Sequence, residues 1–442
     1  MSKKNSRKKK KHTTVISLVL LVVFSLTLFW ASGGVDATVF ESGLQTNLRP
    51  GNKDQLASTS GESAPESQAS LPAQQGVLPE EMRAMWISYL EWQMIDLATE
   101  ASARSAVAHM FDRCVEMGMN TVIVAVRPFG DAFYKSSVFP WSHLLTGTQG
   151  RDPGYDPLSM MVEEAHARSL RIEAWLNPYR VTHAVQGPSQ LSQDNPASLH
   201  PEWVREVGGA LSYDPGIPEV RQLLLDGVLE IVQGYKVDGI HFDDYFYPEG
   251  SSASFDDKTY ARYGGGAQLA DWRRENVNIL VRDVYAGIKN VNPDITFGIS
   301  PQGNNDVNFN IQYSDVNLWL SEPGYADYVM PQLYWGFNYS VGGNDSAAFA
   351  NKCAEWSAYP RDSSVKLYAG LGAYRIGMGD GGDNNMEEWN SGHNIADMVK
   401  YLRNANGFSG FAAFRYEFLA AEGGLYAKER EALTALLTGS AT

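Results

Sequence analysis

Residues 238–248 read DGIHFDDYFYP. An apolar β-type run ends there on two adjacent carboxylates, Asp243 and Asp244, with His241 before them and aromatic side chains after. Paired carboxyl groups can divide a reaction: one holds a proton to donate, the other stays ionised to accept a proton, attack, or balance positive charge. A single aspartate here could simply cap a turn before the next helix. Two of them between a histidine and aromatics point beyond capping. The period-2 alternation of a strand puts His241, Asp243 and Tyr245 on one side, and Phe242 and Asp244 on the other. Phe242 suits an apolar layer, so the first set faces the polar side.

Other β-type runs also end on polar groups. TVIVAVR ends at Arg127 and leads into PFGDAFY, which holds Asp131. IEAWLNPYR brings Asn177, Tyr179 and Arg180, and MPQLYW brings Gln332, Tyr334 and Trp335. Sugars need hydrogen bonds to their hydroxyls and flat apolar partners for their CH faces, so amides, carboxylates and rings gathered together resemble a carbohydrate site. Asp243 is the first candidate catalytic carboxylate. For the second, Asp244 is adjacent but turned away unless the strand has already ended. Glu322, in the loop after the fifth strand, and Asp131 are further candidates. Glu173 shares a face with Asn177 but lies about four residues, roughly 13 Å, deeper, which suits a buried network. In DWRREN, Asp271 is expected to cap a helix, placing Arg273 in the first turn, where a cation opposes the helix dipole. Arg273 therefore has reason to reach an acid such as Asp244 or a substrate anion, unless it is an ordinary ion-paired arginine.

These residues need elements to position them. From residue 83 onward, eight β-type runs alternate with helical ones, starting near residues 83, 121, 172, 238, 296, 327, 366 and 410. Alternation of this kind gives a parallel sheet, and eight strands close a (β/α)8 barrel, the α/β TIM-barrel class. No helix is evident between the fifth and sixth strands. Helix-to-strand links are short, whereas strand-to-helix links are long: 128–156, 177–216, 245–268, 301–326 and 374–394. In a barrel the long links gather at one mouth, where such loops build the walls of a cleft.

The remaining sequence bounds the setting. The 442 residues carry a net charge of −15, which does not suggest a nucleic-acid binder. Seven of the 36 Lys and Arg fall in the first twelve residues, ahead of the apolar run TTVISLVLLVVFSLTLFWA. A basic head before an apolar stretch is an export signal, and this one is long enough to remain as an anchor. Residues 1–33 are thus expected to be a signal peptide or membrane anchor, with the body outside the cytoplasm. Residues 34–78, rich in Ser, Gln, Ala, Pro and Gly, read as a disordered linker, and 79–440 as the barrel. Cys114 and Cys353 read as two buried thiols.

The run from VRPFGDAFY to AWLNPYR closely resembles the glycosyl-hydrolase-like 10 family of extracytoplasmic bacterial barrels. DPGIPEVR, YKVDGIHFDDYFYP, DWRRENVN, FGISPQGN and YVMPQLYWG match it too, over about residues 82–418. The resemblance implies glycoside hydrolysis, with peptidoglycan glycan strands as the expected substrate. It implies a cleft containing Arg127, Asp131, Asn177, Tyr179, His241, Asp243, Asp244, Arg273, Gln332 and Trp335. DGIHFDDY is also similar to the DGIDIDWE strand of chitinase-type barrels, but Tyr245 stands where their acid glutamate would be. That departure argues against substrate-assisted chemistry.

Two other readings stay open: a polysaccharide-binding barrel without catalysis, and a metal-dependent amidohydrolase or deacetylase using His241 with Asp243 or Asp244. The leading reading needs no cofactor and no metal. It expects a monomer acting on a polysaccharide, touching the membrane only through its N-terminal segment.

Overall fold

The computed structural model describes residues 78–184, 190–383 and 386–439; the export segment and linker expected before them lie outside the described residues. Among the described residues, no helix is long and apolar enough to cross a membrane.

In chain order the strands are β1 (Met82–Ile87), β2 (Thr121–Arg127), β3 (Arg171–Leu176), β4 (Val204–Val207), β5 (Ala210–Tyr213), β6 (Gly239–Phe242), β7 (Thr296–Ile299), β8 (Tyr328–Val329), β9 (Gln332–Leu333), β10 (Lys366–Gly372) and β11 (Phe408–Phe414). All are parallel neighbours in one sheet except β4 and β5, an antiparallel hairpin in the loop after β3. β11 pairs with both β1 and β10, so the sheet closes. The sixth barrel position is split. β8 and β9 flank Met330 and Pro331, and both pair with β10. Proline has no N–H for the ladder, which accounts for the break. The result is the (β/α)8 barrel expected from the alternation.

The strands are apolar runs because a parallel barrel strand is covered on both faces, by helices outside and by the packed interior inside. β2 is buried at all seven positions. Between strands run helices such as Glu100–Glu116, Pro157–His166, Pro218–Gly234 and Asn394–Asn404. Asp156 caps Pro157–His166 by accepting from the Ser159 N–H, and proline at the first position fits because its missing N–H has no partner there anyway.

Two expectations are corrected. Helices Asn305–Asn310 and Val316–Ser321 do stand between β7 and the sixth barrel position. Each is six residues long, too short for a 3.6-residue period to show, though Asn304 and Asp315 cap them. The helix expected to start at Asp271 runs Leu269–Val291 with Gln268 at its cap position. Asp271 lies in its first turn and pairs with Arg274 at 2.5 Å.

The barrel interior is partly polar. Trp86, Ile123, Tyr328, Met330, Tyr368 and Ala412 fill it. Glu173, fully buried, accepts from the Tyr328 hydroxyl and, at 3.3 Å, from the Thr296 hydroxyl, and lies 3.6 Å from Arg171. The Tyr328 oxygen is 2.8 Å from His241 Nδ1. His241 Nε2 accepts from Trp86 Nε1 at 3.3 Å and lies 3.0 Å from the Ser300 hydroxyl. The proton therefore belongs on Nδ1, and burial, which lowers the His241 pKa to about 3, keeps the ring neutral. Glycine makes the room: a Cβ on Gly298 would sit 1.8 Å from the Tyr328 ring, and one on Gly239 2.7 Å from Glu173.

Candidate active site

β6 ends at Phe242, so Asp243 and Asp244 lie just past the ladder and alternation no longer separates them. Both are buried and both are held by neighbouring strand tips. Asp243 Oδ2 accepts from Trp175 Nε1 at 3.0 Å and from Asn177 Nδ2 at 3.4 Å. Its Oδ1 has a 3.5 Å approach from the Tyr245 N–H. Asp244 Oδ1 accepts from Gln332 Nε2 at 3.0 Å, and Oδ2 from Gln312 Nε2 at 3.2 Å. Gln332 also donates to the Ser300 carbonyl, which fixes its amide.

The two carboxyls are held differently. Burial raises the Asp243 pKa to about 7, and the neighbouring Asp244 charge adds to the rise; Arg180 and the Trp175 hydrogen bond oppose it. A carboxyl in that state holds its proton into the neutral range, and Oδ1 is the oxygen left to carry it. Asp244 receives an amide N–H on each oxygen, an arrangement that suits an ionised carboxylate, which can only accept.

The aromatic wall lies close by. Tyr334 stacks on Phe414 with centroids 5.7 Å apart and meets Tyr374 edge-on at 5.6 Å. Burial and the charges of Tyr374, Asp244 and Asp243 all push its phenol pKa up, which places it beside the pair. Tyr245 is half-buried, with the Arg180 guanidinium 4.5 Å over its ring. Trp335, also half-buried, packs against Gly303 and Tyr339.

Of the residues expected at the site, Asp243, Asp244, Asn177, Tyr245, Gln332 and Tyr334 converge. Others do not. His241 is one layer down, bonded into the interior. Arg127 is fully buried behind the mouth, with Nη2 on the Pro178 carbonyl and its guanidinium over Phe139, and only its charge is felt at Asp243. Tyr179 is fully buried, and its carbonyl holds the β5 end of the hairpin through the Tyr213 N–H. Asp131 is fully buried, with Oδ2 receiving the His143 N–H, Gln149 Nε2 at 3.0 Å and a 2.8 Å contact from His143 Nδ1. Arg273 does not reach Asp244; it binds both oxygens of Asp256, the Ser252 carbonyl and the Tyr313 hydroxyl. Glu322 is exposed and follows helix Val316–Ser321, whose Leu320 carbonyl accepts from Asp362, just before β10 begins. That is the opposite end of the barrel, where helices hand over to strands.

Sequence reasoning missed Trp175 and Gln312, and it named Arg180 at a strand tip without giving it a role. Trp175 was recoverable, because alternation puts it between Glu173 and Asn177 on the inward face. Gln312 lies in a loop between two short helices and had no such signal. Arg180 follows Tyr179 at the same strand tip, and of the two it is Arg180 whose charge reaches Asp243. Among the described residues, no group of three or more His, Cys, Asp or Glu is placed to hold a metal. His241 is turned toward Tyr328 and Ser300 rather than toward a shared site with Asp243, which counts against the amidohydrolase reading.

A closed (β/α)8 barrel with a buried carboxylate pair at its C-terminal mouth defines a glycoside-hydrolase-like barrel. The comparisons agree, and the chain belongs to the glycosyl hydrolase-like 10 family, whose profile matches residues 81–390. It is 41% identical over 318 residues to the glycosyl hydrolase YngK of Bacillus subtilis (strain 168), covering 67% of this chain but 61% of that protein, less than two thirds of its length. It is 37% identical over 331 residues to the glycosyl hydrolase DigH of Escherichia coli (strain K12), covering 67% of this chain and 74% of that one. The glycoside hydrolase domain of PgaB from Bordetella bronchiseptica shares the fold, with a TM-score of 0.53 at 12% identity, over 81% of this chain and 99% of that one.

Proposed function

We propose that the protein is a glycoside hydrolase of a bacterial cell-surface polysaccharide, with peptidoglycan glycan strands as substrate, and that Asp243 is its proton donor. The observation that carries this reading is Asp243, a buried carboxyl held near pH 7 beside a second carboxylate at the barrel mouth. Asp243 gives its proton to the glycosidic oxygen as the C–O bond breaks. Positive charge develops on the ring whose anomeric C–O bond breaks, while the other sugar departs as a neutral alcohol, and Asp244, ionised between Gln312 and Gln332, faces that charge. Water supplies the hydroxyl that ends on the sugar, and its proton returns to Asp243. Tyr245 and Trp335, both half-buried, offer ring faces for sugar CH surfaces, and the buried Tyr334 backs them. The basic head and apolar run at the N-terminus support a place outside the cytoplasm, secreted or anchored, where wall glycan is found.

The test is incubation of the full chain with purified wall glycan strands, with products read by mass spectrometry. New reducing ends, absent with Asp243→Asn, are expected. Tight glycan binding without any cleavage would instead favour a binding barrel.

A further inference from the structure

Arg180 lies at the tip of β3, and two features tie it to Asp243. Its backbone N–H donates to Asn177 Oδ1 at 3.1 Å. That bond fixes which end of the Asn177 amide is the oxygen, and so turns Nδ2 toward Asp243 Oδ2. Its guanidinium is gripped by three rings, Tyr245 at 4.5 Å, Phe129 at 5.1 Å and Tyr89 at 5.6 Å, while Nε donates to the Pro128 carbonyl at 3.0 Å. A long, flexible cation is thereby locked in one place, 9% exposed.

We infer that Arg180 is a positioning residue for Asp243: it orients Asn177 against the carboxyl and sets the positive charge against which the acid holds its proton. The inference rests on the assignment of Asp243 as proton donor. The charged and titratable groups facing Asp243 are Asp244 from its own strand tip, Arg180 from the loop after β3, Arg127 from the end of β2 and Tyr334 after β9. Asp244 favours the protonated form, and Arg180 opposes it. Arg180 thus keeps the acid from becoming too weak to give its proton up.

The sign follows. Turnover falls as pH rises through the Asp243 pKa. Loss of the Arg180 cation disfavours ionisation, so the alkaline limb should move to higher pH. In Arg180→Gln, the limb of kcat/KM on purified wall glycan strands should rise by about one pH unit, the low end for a lost opposite charge at this range. Arg180→Lys should hold the wild-type limb. Arg180→Met keeps an apolar stem for the three rings and serves if Arg180→Gln does not fold. A limb that stays in place in both neutral variants, with turnover lowered equally at every pH, would make Arg180 a structural staple and overturn the inference. Asp243→Asn separates the two levels. If it cuts at the wild-type rate, the acid assignment itself falls. If it is inactive while the limb in Arg180→Gln does not move, the charge that Arg180 is inferred to set against Asp243 falls alone, since the backbone N–H to Asn177 is kept in every variant.

Discussion

Glu173, on the inward face of β3, and Asp243, just past the end of the neighbouring β6, are both buried carboxyls, and burial raises the pKa of both. They differ in what surrounds them. Glu173 is enclosed by protein partners: the Tyr328 hydroxyl, the Thr296 hydroxyl and the Arg171 guanidinium. Asp243 is bonded on Oδ2, while Oδ1 has one long backbone approach and a like charge stands next door. A raised pKa is therefore no guide to catalysis by itself. A carboxyl becomes a usable acid when one oxygen is left to carry the proton at the mouth and a neighbouring carboxylate resists its ionisation. The first carboxyl is tied into the barrel interior, and the second has one oxygen with only a long backbone contact at the mouth.

Breaking each carboxyl should give opposite signatures. Asp243→Asn is expected to lower glycan cleavage by roughly 100- to 10,000-fold, the worth of a positioned acid. Its stability should not fall, and above pH 7 it should rise. The folded protein holds the Asp243 proton up to about pH 7, whereas the unfolded chain releases it near 3.8, so wild-type stability drops as pH climbs between those values. A melt at pH 8 beside a turnover assay checks both halves. A mutant that melts far lower than wild type would put Asp243 with Glu173 among the structural groups.

Glu173→Ala should do the reverse. It leaves Arg171, Tyr328 and Thr296 with an unanswered buried charge and hydroxyls, at a cost of about 3–5 kcal/mol. Protein that remains folded should still cut, since Glu173 lies beneath the mouth. Urea unfolding and activity per folded molecule separate the two effects, and full stability with lost activity would reverse the assignment. The smallest effect belongs to Glu322→Gln, which should alter neither turnover nor stability by more than about 0.5 kcal/mol. A large loss of turnover there would mean that the exposed carboxylate beyond the far end of the barrel takes part after all.

The barrel was legible in the sequence because its signals are periodic. Eight apolar runs alternate with helices, and the long links all follow strands. The place of Asp243 and Asp244 at the mouth was legible because they directly follow a buried strand run. What failed was depth. Alternation says which way a side chain faces, not how far below the mouth it sits, so His241 was read as a sugar ligand when it lies one layer down. Asp131 and Arg273 are polar and near strand tips, yet the long loops fold over them and use them as internal ties; Arg127 and Tyr179 are buried there too, with Arg127 Nε and Nη1 and the Tyr179 hydroxyl left without a hydrogen-bond partner. Arg273 shows the reason well: its partner, Asp256, is seventeen residues away on a loop whose path no local rule describes. For Asp244 the sequence left two outcomes, turned away or past the strand end, and the ladder's end at Phe242 decides for the second.

The central claim is that Asp243 is the acid and is protonated in the working enzyme. The pH dependence of kcat/KM for wall glycan cleavage tests it most directly, because that ratio reports the ionisations of the free protein. Activity should fall as pH rises through about 7, as Asp243 loses its proton, and the limb should vanish from whatever residual activity Asp243→Asn retains. Activity that stays flat to pH 9, or a limb that persists unchanged in Asp243→Asn, would contradict the account.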